Sequence, residues 1–243
     1  HPASDIELNA WIVKPVNFDE SKKYPVLMVQ YSGPNSQQVL DKYGFDWEHY
    51  LAANGIIVVS VDGRGTGARG EAFRKCTYLR MGELESRDQV EAAQALGKLP
   101  YVDAKRIAIW GWSFGGYNTL MSMSVGNGTF KAGIAVAPPT DWKYYDSVYT
   151  ERFMRTPKEN FSGYAATSPI RLAKDLQGKL LLIHGTADDN VHIQHSIAYT
   201  KALIEAGKDY KMQIYPDYNH SIYGGNARYH LYTSMSNFLF DNL

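Results

Sequence analysis

A single cysteine, Cys76, leaves this 243-residue chain unable to close an internal disulfide or to build a cysteine-ligated zinc site. It does not by itself fix a redox compartment. Neither sign of charge is in excess: 25 lysines and arginines stand against 25 aspartates and glutamates, a formal net charge of zero. A protein whose main partner is nucleic acid or an anionic membrane carries a basic surplus, and this chain has none. No apolar run approaches the roughly 20 residues that cross a bilayer. No secretory leader opens the chain: His1-Pro2-Ala3-Ser4-Asp5 is polar and abrupt, the look of an end cut from something longer. Internal repeats and low-complexity tracts are also missing. What remains suits a packed domain. Apolar residues make up 44% of the chain, and a chain of this length buries roughly 70–75% of its unfolded surface. Residues 1–243 therefore read as one domain.

Six short β-rich runs punctuate the sequence, at 26–30, 56–61, 107–110, 132–137, 180–183 and 211–215. Most are continuously apolar rather than alternating, as parallel strands covered on both faces require. An earlier run, 10–13, reads as an antiparallel edge strand. Helical patterns fill the gaps: 45–53 stops at Asn54-Gly55, 83–96 stops before Pro100, and 193–206 stops at Gly207. Strands alternating with helices predict βαβ units and an open, mostly parallel sheet flanked by helices, an α/β fold. The segment 138–178 is too long for a simple connection and rich in Tyr, Trp and Phe, which predicts a cap over a site.

Gly111-Trp112-Ser113-Phe114-Gly115 reads G-x-S-x-G, and lies between the run 107–110 and the helix-forming Gly116-Tyr117-Asn118-Thr119-Leu120-Met121. That strand–turn–helix setting is the one a nucleophile elbow needs. The turn is so tight that only small residues fit two positions either side of the serine, and the hydroxyl is pushed toward a base and a substrate. An incidental serine in a glycine-rich turn is the plainer reading, so the partners decide. A serine nucleophile needs a base, and the base needs an orienting acid. In this architecture they follow in the order serine, acid, histidine, on loops after later strands. The run 180–183 leads into His184-Gly185-Thr186-Ala187-Asp188-Asp189-Asn190, and 211–215 leads into Pro216-Asp217-Tyr218-Asn219-His220-Ser221. Both loops leave the carboxyl edge of the sheet, where sites in open α/β folds lie. His220 is then the base, and one carboxylate of the pair Asp188 and Asp189 its partner. The residues alone do not choose between the two; the other suits a surface or helix-capping role.

The remaining histidines compete less well. His184, at a strand end, reads as a packed structural residue. His192 and His195 have a metal-like i, i+3 spacing on a helix, with no acid or third histidine to complete a site. His49 and His230 fall in helical patterns. For the oxyanion, one donor is the Phe114 N–H, the residue after the serine. The second comes from a loop after an early strand, where no His-Gly-Gly run is present. Tyr31-Ser32-Gly33-Pro34 follows the run 26–30, and its tyrosine hydroxyl competes with a reading as a core residue. Gly65-Thr66-Gly67-Ala68-Arg69-Gly70 matches G-x-G-x-x-G. Asp62-Gly63-Arg64 separates it from its strand, however, and no acidic strand end follows about 20 residues on. It reads as a glycine-rich loop beside the active site, and no cofactor is predicted.

Taken together, Asp62-Gly63-Arg64-Gly65, the elbow through Gly116-Tyr117, Tyr144-Tyr145-Asp146-Ser147-Val148-Tyr149-Thr150-Glu151-Arg152 and the stretch from His184 to Val191-His192 resemble the prolyl oligopeptidase family. The resemblance runs from about Trp11 onward. It implies an α/β-hydrolase fold and, among family members, an exopeptidase that releases dipeptides ending in proline or alanine through a serine–aspartate–histidine triad and an acyl-enzyme. It implies that Asp188 is the triad acid and Tyr31 the second oxyanion donor. It places Trp142, Tyr145, Tyr149, Val191 and Phe114 around the pocket for the penultimate proline, and Asn190 at a backbone carbonyl of the substrate. It also implies an N-terminal β-propeller as partner, with paired glutamates that hold the substrate's amino terminus. A homodimer is compatible with it, and a periplasmic or extracellular location is favoured. The departures are specific. These residues carry no propeller and no such glutamate pair; Phe114 stands where relatives often have tyrosine, Pro139 where a smaller aliphatic is usual, and Ser221 where glycine follows the histidine. The same triad also serves endo-oligopeptidases, acylaminoacyl peptidases and esterases, and a binding protein on a hydrolase fold is the reading outside enzymes.

Overall fold

The β-rich runs become the strands of one sheet. A computed structural model of the chain describes residues 6–243, so the polar opening from His1 to Asp5 lies outside the described residues. The described residues form seven strands: β1 (Asn9–Val13), β2 (Tyr24–Val29), β3 (Ile57–Asp62), β4 (Val102–Trp112), β5 (Ala132–Val136), β6 (Lys179–Gly185) and β7 (Lys211–Tyr215). Their order in the sheet is β1-β3-β2-β4-β5-β6-β7. β1 runs antiparallel to β3 at the edge, and every other pairing is parallel. All six expected runs and the edge strand are therefore present. The other ends shift by at most two residues, and β4 differs most, starting at Val102 rather than 107. Its first half pairs Val102 with Tyr24 ahead of a register shift, and exposed Ala104 and Lys105 hide it from a search for apolar runs.

Nine helices are described: α1 (Trp47–Ala53), α2 (Glu71–Lys75), α3 (Glu83–Leu96), α4 (Phe114–Val125), α5 (Ser147–Met154), α6 (Phe161–Ala166), α7 (Pro169–Leu172), α8 (Gln194–Glu205) and α9 (Ala227–Asn242). α1 starts at Trp47 rather than at 45 because the Asp46 side chain accepts the Trp47 N–H and caps the helix. It ends where Gly55 takes a positive φ of 89°. α3 has the expected bounds, and α9 extends the pattern around His230. None of these helices is long and apolar enough to cross a membrane.

Successive β2 residues point to opposite faces. Leu27 and Val29 join Trp47, Leu51, Leu231, Met235 and Leu239 on the α1/α9 side. Val26 and Met28 join Val90, Leu120, Met123, Tyr199 and Leu203 on the α3/α4/α8 side. Each fully buried aliphatic side chain contributes about 1.5–3 kcal/mol to this sandwich, which is why strands buried on both faces read as unbroken apolar runs. The segment 138–178 forms a cap of short helices: a 3-10 turn Trp142–Tyr144, then α5, α6, α7 and a second turn Ala173–Asp175. The G-x-G-x-x-G stretch is a clasp between loops. Its Gly65 and Gly67 N–H groups go to the Phe73 and Ser36 carbonyls. Beside it, Arg64 pairs with the buried Asp88 carboxylate at 2.5 Å.

Candidate active site

Ser113 sits between β4 and α4 with φ 58° and ψ −118°. A non-glycine residue there is strained by about 1–3 kcal/mol and persists only when its surroundings hold it. The Ser113 N–H donates to the Val136 carbonyl at 2.8 Å, and the Ser113 carbonyl accepts the Tyr117 N–H at 2.9 Å. The glycines are required by close approach. A methyl on Gly111 would strike the Gly115 carbonyl and lie 2.6 Å from the Gln30 carbonyl oxygen; one on Gly115 would lie 2.5 Å from that oxygen, and one on Gly116 2.7 Å from the Val136 oxygen. Phe114 opens α4, so its N–H belongs to the first turn, where intrahelical partners are lacking and the helix dipole is positive. The Ser113 hydroxyl makes no hydrogen bond among the described residues. In unliganded enzymes a nucleophile–base bond is often long and tightens on binding.

The two later loops are sewn together. Thr186 and Ala187 N–H groups donate to the Tyr215 and Tyr218 carbonyls, and the Asp217 N–H donates to Thr186 Oγ1. Gly185 fits because any side chain there would strike the Tyr218 carbonyl. This brings Asp188 to His220: Nδ1 of His220 lies 2.7 Å from Asp188 Oδ2. The other carboxylate oxygen accepts the N–H groups of Asn190 at 3.0 Å and Val191 at 2.9 Å. Asp189 is exposed whereas Asp188 is buried. Burial alone would raise the Asp188 pKa, but hydrogen bonds from His184 and His220, and the His220 charge, hold it well below the usual carboxylate range. The His220 loop is fastened beside the serine by Trp112, whose Nε1–H donates to the His220 carbonyl at 2.9 Å.

His184 is packed, as expected, and fully buried, but its place adds something the sequence did not suggest. Its Nε2 lies 3.3 Å from Asp188 Oδ2, the oxygen that His220 engages, and 2.7 Å from the Val191 carbonyl. Its Nδ1 lies 2.7 Å from Ser196 Oγ. The four-residue spacing to Asp188 was the only available signal. His195 and His192 do not act as a pair. His192 is exposed and precedes α8. His195 is buried, accepts the Thr140 N–H at 2.9 Å, and is pushed down to about 4 by burial, so it stays neutral.

Tyr31 follows β2 and turns its ring toward Phe114, with centroids 6.0 Å apart. Burial raises its pKa, keeping the hydroxyl a neutral donor. Phe114 packs on Trp142 at 5.6 Å, and Trp142 on Tyr145 at 5.9 Å and Tyr149 at 6.1 Å. Tyr145 and Tyr149 meet edge to face at 5.3 Å. Burial, with Asp146 next in effect, pushes Tyr145 up to about 12. Tyr145 donates its O–H to Asn190 Oδ1 at 2.7 Å, joining the cap to the Asp188 loop. Val191, the next residue of that loop, is fully buried. Thus all ten expected residues come from loops or helices that follow β2, β4, β5, β6 and β7 at the carboxyl edge of the sheet.

The sequence pattern that defines the prolyl oligopeptidase family matches residues 43–243. Dipeptidyl peptidase 4 of Bos taurus is 48% identical over 232 residues, which cover 94% of this chain and 30% of the bovine protein. The crystal structure of Porphyromonas gingivalis dipeptidyl peptidase 4 superposes with a TM-score of 0.97 at 68% identity, covering 98% of this chain and 34% of that one. The chain spans about a third of the length of these relatives. Sequence, sheet order and the glycine-packed serine turn agree: the chain belongs to the prolyl oligopeptidase family.

Proposed function

We propose that this domain is the hydrolytic part of a serine exopeptidase that removes N-terminal dipeptides with proline or alanine in second position. The observation that carries the reading is the bond from His220 to the buried Asp188 carboxylate beside the elbow serine. With Nδ1–H committed to Asp188, the Nε2 lone pair of His220 is free to take the Ser113 proton. Ser113 Oγ then attacks the scissile carbonyl. Tyr31 O–H and the Phe114 N–H receive the oxyanion. His220 returns the proton to the leaving amine, Asp188 stabilising the imidazolium meanwhile, and water hydrolyses the acyl-enzyme by the same path. The walls formed by Trp142, Tyr145, Tyr149, Val191 and Phe114 suit a flat pyrrolidine ring. Because Asn190 Oδ1 accepts from Tyr145, its amide N–H groups are left to meet a substrate carbonyl.

The grip on the substrate's amino terminus is assigned to a β-propeller within the additional length of the relatives, a reading supported by the family resemblance. The test is made in the full-length enzyme. Ser113→Ala is expected to abolish labelling by a fluorophosphonate, and the parent enzyme to cleave Gly-Pro-p-nitroanilide in preference to its acetylated form. Undiminished labelling of the variant overturns the nucleophile. Preference for the acetylated substrate replaces the exopeptidase reading with an acylaminoacyl peptidase.

A further inference from the structure

Gln30 is a buried polar side chain to which the hydrolytic chemistry assigns no task. It is 3% exposed and lies between the end of β2 and Tyr31. Its amide is fully engaged. Nε2 donates to the Gly115 carbonyl at 2.7 Å and to Thr119 Oγ1 at 3.2 Å. Oε1 accepts from Ser32 Oγ at 2.9 Å and from Asn118 Nδ2 at 3.1 Å. A side-chain amide has two N–H donors and two lone pairs on oxygen, so the set is complete. Because the Gly115 carbonyl can only accept, the end of the amide that faces the elbow is fixed.

These partners fall in two groups. Gly115, Asn118 and Thr119 belong to α4, the helix that opens with the Phe114 N–H. Ser32 flanks Tyr31 on the far side and has a strained φ of 66°. Its hydroxyl also accepts from Gln89 Nε2 at 3.3 Å. The Gln30 side chain thereby ties together the residues on either side of Tyr31, and binds the resulting turn to the elbow helix. Its backbone follows the same line: the Gln30 N–H donates to the Trp110 carbonyl at 3.2 Å, and its own carbonyl abuts Gly111 and Gly115.

We propose that Gln30 is a positioning residue for the oxyanion hole, setting the spacing between the Tyr31 hydroxyl and the Phe114 N–H. This rests on the serine-hydrolase reading above. Oxyanion donors act by being in place before the charge develops, and a small misplacement at a reacting centre costs a large share of the rate. A buried amide that only stabilised the fold would lower thermal stability without coupling to Tyr31.

The experiment is a double-mutant cycle in the full-length enzyme on Gly-Pro-p-nitroanilide, with thermal midpoints measured alongside. Gln30→Met keeps the volume and removes all four bonds; Ser32→Ala removes, of those four, only the bond on the Tyr31 side, together with the contact from Gln89. Gln30→Met is expected to lower kcat on the order of tenfold to a hundredfold, less than the roughly 10²–10³ for deleting a donor outright, with KM changed less than about threefold. In a Tyr31→Phe background the same change is expected to cost less than about threefold more, because no hydroxyl is left to misplace. Ser32→Ala follows the same pattern with a smaller loss. Additive losses, or a raised KM with intact kcat, overturn the proposal. If Gln30→Met does not fold, the Ser32→Ala cycle decides by the same criterion. A Tyr31→Phe variant with unchanged kcat overturns the oxyanion assignment itself, a result distinct from additivity.

Discussion

The floor of the site and its cap are built from different materials. The floor is the elbow with the two later loops, and directed hydrogen bonds hold it: 2.7 Å from His220 to Asp188, 2.8 Å from Ser113 to Val136 and 2.7 Å from Gln30 to Gly115. Beside the serine its glycines carry no side chain, and methyl-sized additions there collide with backbone. The cap is a cluster of rings, with Trp142 only 2% exposed and Tyr145, Tyr149 and Phe153 packed into the same cluster. Ring contacts are broad and tolerate small shifts, whereas a hydrogen bond weakens steeply with angle. Proton transfer needs fixed directions and recognition of an apolar ring needs area. The contrast supports the proposed division, with rate set by the floor and substrate choice by the cap.

The sharpest way to break that division is on the floor. Asp188→Asn is expected to lower kcat by about 10⁴, because the imidazole loses the partner that fixes its tautomer. Asp189→Asn, at an exposed neighbour, is expected to change kcat less than about threefold. Equal losses measured by steady-state kinetics would mean that the buried hydrogen bond does not set the rate. Cap variants come next. Tyr145→Ala and Tyr149→Ala are expected to lower the Pro/Ala ratio of kcat/KM by about 10–200-fold, the scale of an apolar pocket contact. An unchanged ratio in folded variants makes both tyrosines packing residues only.

The smallest effect probes the polar layer beneath the elbow. Glu85 is fully buried; its Oε2 accepts the Gly82 N–H at 2.8 Å and its Oε1 has no partner. Burial pushes its pKa from 4.5 up to about 8, outweighing the N–H groups of Glu85 and Gly82 that favour the charge. A raised folded pKa means that the folded state holds a proton which the unfolded chain has released. That stabilisation is fully present below about pH 4.5 and is lost as pH rises toward 8. Glu85→Gln stays neutral throughout. Its melting temperature relative to the parent is therefore expected to climb from pH 5 to pH 8, the window set by that shift. A constant difference across the window overturns the assignment of a buried neutral acid.

Much of this was legible in the residues, for reasons that differ by region. Strands covered on both faces must be largely apolar, so β2, β3, β5 and β6 announce themselves. The elbow is legible because its sterics admit only glycine at fixed offsets from Ser113. The choice of Asp188 over Asp189 was not, since neighbours in one loop differ only in tertiary burial. The helices α5, α6 and α7 also escaped, being short and stabilised by caps such as Asp146 and Asn160 rather than by periodicity. Gln30 astride the Tyr31 turn depends on β2 lying beside β4 in the sheet. Local pattern carries no trace of that order.

β7 is the last strand in the chain, and the loop that follows it bears His220. Trp112, beside the serine, reaches His220 across 108 positions of sequence. At about 5–20 residues per second of synthesis, the elbow leaves the ribosome roughly 5–20 seconds before its base does. On the proposed reading of His220 as the base, the serine has no partner to deprotonate it until β7 and its loop have joined the sheet.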